Sequence, residues 1–134
     1  MTEAVLDASV VLKWFVPKRE PGRTEARALR EEYEAGHLTV VVPALLFLEV
    51  LNVAGRRWGW DEDALLRLAA GLDDLLFEVA EPSPASVAVW TGRSLTAYDA
   101  AYVAVAEERG IVVVSDDRSL LDVAGPVARP LVAR

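Results

Sequence analysis

LTAYDAAYVAVAEERGIVVVSDD, residues 95–117, sets the architecture of this chain. Its first sixteen residues read as one helix ending at Gly110, and the β-branched run GIVVVS (110–115) follows with almost no connection. Similar short runs occur earlier, AVLD (4–7), LTVVV (38–42) and LFEV (76–79), and a last one lies near residues 130–133. Their alternation with helical patterns predicts β-α-β units, hence an α/β fold: a three-layer α/β/α domain with a mainly parallel central sheet. Pro21 and Gly36 bracket a first long helix, and a second runs from Pro43 to about Trp58. Asp61 caps a third, which carries Leu65, Leu68, Leu72 and Leu75 at helical spacing, and Ser83 caps a short fourth.

At 134 residues the chain reads as one domain, 1–134, able to bury roughly two thirds of its unfolded surface in a single core. Trp14 and Phe15 belong to that core. Trp58 and Trp60, flanking Gly59 between two helices, either pack over the junction or dock a partner or second subunit. There is no cysteine, which removes disulfides and thiolate metal sites and suits a reducing compartment. Glu3, Asp7 and Lys13 interrupt the start in a way unlike a signal peptide, and no apolar run reaches the roughly 20 residues needed to span a bilayer. A cytoplasmic protein with no membrane partner is the expectation.

The net charge of −7 argues against general electrostatic binding of nucleic acid, which relies on clustered Lys and Arg. An acidic pocket holding two divalent cations would reduce that charge to −3 and let the metals meet the phosphodiester.

Several acids stand where such a pocket would form. Asp99 follows Thr96 by three residues at a helix start, the spacing of a capping box, yet Ala100 to Ala106 are apolar almost all round. Burial of that helix would place the Asp99 carboxylate where water is scarce, and a cation would offset the cost. Asp7 closes the first apolar run, at the carboxyl edge of a parallel sheet where ligands bind; the plainer reading is a cap for SVVLKWF. Asp116 and Asp117 follow IVVVS at the same edge, with capping again the alternative. Glu49 interrupts the apolar helix PALLFLEVLNVAG, and Asn52, three residues on, shares its face; the alternative is an internal pair with an arginine. One shared pocket explains Asp7, Glu49, Asp99 and Asp117 together. Oxygen-only donors favour Mg²⁺ or Mn²⁺ over Zn²⁺, and the lone His37, beside Gly36, reads as a solvated loop residue. Such a pocket suits hydrolysis of phosphate esters, with the metals activating water and stabilising the leaving oxygen while a carboxylate accepts a proton.

The stretches LDASVVLKW, LEVLN, LTAYDAAYVAVAEERG and VVVSDDRSLL closely resemble those of PIN-domain ribonucleases, and within them VapC-type toxins of toxin–antitoxin pairs. The resemblance runs from Asp7 to Leu120. It implies an endoribonuclease using one or two Mg²⁺ or Mn²⁺ ions, acting on RNA such as transfer RNA, forming a homodimer and silenced by a cognate antitoxin. The catalytic and metal-binding acids then fall on Asp7, Glu49, Asp99 and Asp117. Ser9, Ser115 and Thr96 match supporting hydroxyl positions, Asn52 could assist Glu49, and Asp116 competes with Asp117 for the last place.

Arg19, Arg23, Arg27 and Arg30 recur at helical spacing, and Arg23, Arg27 and Arg30 could guide RNA backbone; otherwise Arg27 pairs with Glu31 and Arg30 with Glu34. Arg56 and Arg57 read as surface charge. A non-catalytic PIN-like module binding RNA or protein is the competing function. A phosphatase or phospho-receiver is a third, but its lysine is missing, since Lys13 and Lys18 are the only lysines and neither follows a late strand.

Overall fold

A computed structural model of the chain describes residues 2–16 and 20–133; Lys18 and Arg19 lie outside the described residues. Five strands, β1 (Thr2–Leu6), β2 (Leu38–Val42), β3 (Glu78–Val79), β4 (Val112–Ser115) and β5 (Ala128–Pro130), form one sheet in the order β3-β2-β1-β4-β5. Every pairing is parallel. The helices among the described residues are α1 (Ala8–Leu12), α2 (Arg23–Glu34), α3 (Leu45–Arg56), α4 (Glu62–Asp74), α5 (Pro84–Gly92), α6 (Ala97–Arg109) and α7 (Arg118–Ala124). They flank the sheet in the expected three-layer α/β/α arrangement.

The central strands are continuous apolar runs because helices cover both faces of a parallel sheet. Ala4, Val5, Leu6, Val40, Val41, Val42, Val113 and Val114 are accordingly buried. Against them lies α6, whose residues Ala100 to Ala106 are all buried; its four alanines let the backbone approach the sheet closely. The Thr96 hydroxyl caps α6 by accepting the Asp99 N–H (3.1 Å), so the start of the helix is fixed without the Asp99 carboxylate. Gly110 ends α6 in the left-handed region (φ 67°). No atom lies within 4 Å of where its Cβ would stand, so Gly110→Ala carries only a conformational cost. A loss of about 1 kcal/mol in denaturant melts is expected.

Asp61 and Ser83 cap α4 and α5 through their side chains, as their spacing indicates. Several boundaries differ from the sequence reading: β1 starts at Thr2 and stops short of Asp7, α3 runs Leu45–Arg56, and three others have a visible cause. The run LFEV yields only Glu78–Val79 as strand, because Leu76 turns through a left-handed conformation (φ 55°) and Phe77 packs edge-on to Trp14 and Tyr33. The last strand is Ala128–Pro130 rather than 130–133. Register fixes this: Pro130 aligns with Ser115, the final residue of β4, and the Leu131 N–H closes on the Ser115 carbonyl (2.9 Å). Helix α2 begins two residues after Pro21, because Gly22 in a left-handed conformation (φ 84°) occupies its N-cap.

Candidate active site

Strand order reverses between β1 and β4, the switch point of an open parallel sheet, whose ligand crevice lies by rule outside the carboxyl ends of both strands. The chain leaving β1 places Asp7 in it, 4% exposed, with its N–H donating to the Val114 carbonyl (3.3 Å). Asp7 occupies the N-cap position of α1, yet its side chain caps nothing. Its two carboxylate oxygens instead accept the hydroxyls of Ser9 and Ser115, each at 2.5 Å. The same hydroxyls accept backbone N–H groups from the loop after β4, Ser9 from Asp116 (3.0 Å) and Ser115 from Asp117 (2.9 Å). Asp7 is thereby tied to the loop carrying the acid doublet. Burial pushes its pKa up to about 6, against the two hydroxyl donors and with a further push from the Asp99 charge.

Glu49 reaches the crevice from α3, where the phenol of Tyr102 donates to its Oε2 (3.3 Å). Its Oε1 is buried with no hydrogen-bond partner among the described residues. Burial raises the Glu49 pKa to about 7; Tyr102 opposes the rise, and Asp99 and Asp7 add to it. In Tyr102→Phe the opposing donor is gone, so the Glu49 pKa should climb further, read by carboxyl NMR titration; an unchanged value would contradict the contact.

Asp99, half-buried in the first turn of α6, has its pKa raised by burial and then by Asp117. Asp117 caps α7, accepting the Leu120 N–H through Oδ1 (3.2 Å), which leaves Oδ2 for other work. Its neighbour Asp116 turns away, paired with the Lys13 ammonium (3.2 Å), which also holds Glu20 (3.0 Å). Burial alone would lower the Lys13 pKa, but Glu20 and Asp116 outweigh it and hold the ammonium charged.

Four carboxylates from four segments thus gather here: the charge of Asp99 raises the proton affinity of Asp7 and Glu49, Asp7 adds to that of Glu49, and the charge of Asp117 raises that of Asp99. Ser9 and Ser115 hold Asp7, while Thr96 serves as the cap of α6. Asn52 does not join them: it is exposed and lines an apolar groove with Leu48, Leu51 and Trp60. Trp58 and Trp60 pack half-buried against the core, 5.3 Å apart. Arg30 is spent on structure, bonded to Glu34 (2.9 Å) with its guanidinium over Trp14 and Phe15. Arg23 and Arg27 line a surface hollow with Glu20 and Thr24. His37 is exposed, as a loop histidine should be.

Sequence reasoning passed over Tyr102 and Lys13. Both had a signal: Tyr102 stands three residues after Asp99 and Lys13 four after Ser9, each on the helical face of a residue already singled out.

Among the described residues no three His, Cys, Asp or Glu side chains form a complete metal-binding group. The donor chemistry nevertheless fits a hard divalent cation. It is all oxygen, and a buried acceptor without a donor, Glu49 Oε1, is costly unless something positive meets it.

The same architecture recurs in solved structures. The crystal structure of PAE2754 from Pyrobaculum aerophilum is 26% identical, with a TM-score of 0.66 over 98% of this chain and 92% of that one. The crystal structure of FitAcB from Neisseria gonorrhoeae is 16% identical, with a TM-score of 0.61 over 93% of this chain and 95% of that one. A structure of FitAB bound to an IR36 DNA fragment is also 16% identical, with a TM-score of 0.58 over 96% and 94% of the two chains. No curated protein matches the chain. Residues 4–126 match the family profile described as PIN domain, a span that includes every acid of the crevice. The chain therefore belongs to the PIN-domain family.

Proposed function

We propose that this protein is a metal-dependent endoribonuclease, the toxin of a VapC-type toxin–antitoxin pair. The observation that carries the reading is the gathering of Asp7, Glu49, Asp99 and Asp117 at one sheet edge, with the carboxyl pKa of Asp7, Glu49 and Asp99 raised. Groups brought together at such electrostatic cost, with one buried oxygen left unpaired, point to function rather than stability. Membership of a family whose domains are generally nucleases using divalent metal ions supports it.

Asp7, Glu49, Asp99 and Asp117 would hold Mg²⁺ or Mn²⁺, which supplies a water of lowered pKa and neutralises charge on the phosphate. Asp7, held by two hydroxyls, is the fixed element of the site. Glu49, with its Oε2 on the Tyr102 phenol and its Oε1 without a partner, is the carboxylate placed to take a proton from the attacking water. That water adds to phosphorus and the ester oxygen leaves, with no covalent link to the protein. Asp117 holds α7 in place with one carboxylate oxygen and faces Asp99 with its charge. Arg23 and Arg27 supply the nearby positive charge that could track RNA backbone across an otherwise acidic chain.

The cognate antitoxin and the homodimer rest on the resemblance to VapC-type toxins, and the cytoplasmic setting on the sequence's composition and start. No helix among the described residues is long and apolar enough to cross a membrane. The test is cleavage of a mixed transfer RNA pool by purified protein, with Mn²⁺ and with chelator, products resolved to single nucleotides. Cuts at defined sites only with metal are expected. Binding of RNA without metal-dependent cutting would favour a non-catalytic PIN-like module.

A further inference from the structure

Helix α1 grips the loop after β4 at two points. Ser9 accepts the Asp116 N–H (3.0 Å), and Lys13, four residues on and so on the same face, holds the Asp116 carboxylate (3.2 Å). Lys13 does so from a nearly closed position, its side chain only 10% exposed, and its other partner is Glu20 at 3.0 Å. The chain makes room for its stem at Gly22: a Cβ there would stand 3.2 Å from Lys13 Cε. A surface lysine has no need of such a berth. Beside it the loop divides its two acids, Asp116 toward the ammonium and Asp117 toward Asp99 and the first turn of α7.

We infer that Lys13 is a positioning residue of the acidic site. By engaging the Asp116 carboxylate while Ser9 holds the Asp116 N–H, it fixes the loop so that Asp117 and not Asp116 faces Asp99. The clamp itself is read from geometry; what it serves rests on the metal-dependent nuclease reading. Lys13 also occupies Asp116 with a charge of its own, so a second carboxylate does not compete at the same place. The doublet then has two distinct duties, one for each acid.

The test uses Lys13→Met, which keeps the apolar stem, together with Asp116→Asn and the double variant. Two quantities are read on each folded protein: Mn²⁺ affinity by calorimetry, and hydrogen exchange at the Asp116 and Asp117 amides. Lys13→Met should weaken Mn²⁺ binding by about tenfold, the low end of what loss of outer support at a metal site commonly costs, because the loop that carries Asp117 is no longer held through Asp116. It should also speed exchange at both amides. Asp116→Asn should do the same, and the double variant should be no worse than either single one, because both remove one interaction. A lysine that only packs would give effects that add, or none on Mn²⁺; either result overturns the inference. If wild type binds no Mn²⁺, the nuclease reading falls, and exchange alone judges the clamp: faster in Lys13→Met upholds it, unchanged overturns it.

Discussion

Replacing Asp99 with asparagine should abolish cleavage and leave a protein that melts no lower than wild type in the presence of chelator. The first half follows from charge. Metal stabilisation of a developing phosphoryl charge is worth several kcal/mol, and about 1.4 kcal/mol is a factor of ten, so loss of one anchoring carboxylate should cost roughly 10³-fold in rate. The second half follows from how α6 begins. Its cap is the Thr96 hydroxyl on the Asp99 N–H, a contact made by the backbone of residue 99 and kept in the variant. What disappears is a half-buried charge whose pKa is raised by burial and by Asp117. The variant should therefore gain stability without metal and lose the upward shift in Tm that Mn²⁺ gives wild type. Equal cutting by the two proteins, or a variant that unfolds, would contradict this.

In chelator the protein should be more stable at pH 5 than at pH 8, the reverse of a domain held together by salt-bridged carboxylates. Asp7 has an ordinary pKa of 3.8 when unfolded and about 6 when folded, so between those values the folded chain binds more protons than the unfolded one. Stability then falls as pH rises through that interval, and below it the contribution is fully present. At about 1.4 kcal/mol per pKa unit the whole interval is worth about 3 kcal/mol, and the part above pH 5, roughly one unit, is Asp7's share of the fall from pH 5 to pH 8, about 1.4 kcal/mol. Glu49, raised to about 7, carries the decline further toward neutral pH. A divalent cation should reverse the trend, stabilising more at pH 8 than at pH 5 and releasing protons as it binds. Guanidinium melts across pH, with and without Mn²⁺, give the answer, and Asp7→Asn should flatten the metal-free curve. A metal-free stability that rises from pH 5 to pH 8 would mean that these acids are not buried together.

How much of this could be read from the residues depended on how local each cause was. The helix over 95–110 and the strand behind it were legible because apolar periodicity, Thr96 and Gly110 all lie within the segment they shape. The caps at Asp61 and Ser83 were legible for the same reason. The last strand was displaced by two residues because its position is set by β4, far off in sequence, through the pairing of Ser115 with Pro130. At the site, acids were conspicuous against apolar helices and strand ends. Their partners were less visible. Tyr102 counts as one more apolar residue in a buried helix until Glu49 is seen against its phenol, and Lys13 looks like an interruption of an apolar run until Asp116 comes beside it. Asn52 lies exposed in the groove with Leu48, Leu51 and Trp60, a placement that its spacing from Glu49 does not reveal. Spacing from the Ser115 hydroxyl favours Asp117 over Asp116; the contact that distinguishes the two in the fold, the Lys13 ammonium on Asp116, comes from more than a hundred positions away.

A crystal grown with Mn²⁺ and measured at the manganese absorption edge would locate the ion without reference to activity. Anomalous density among Asp7, Glu49, Asp99 and Asp117, with Asp116 still on Lys13, is the expected result. Density elsewhere on the molecule, or none in the crevice at saturating Mn²⁺, would contradict the proposal that these four carboxylates form one cation site.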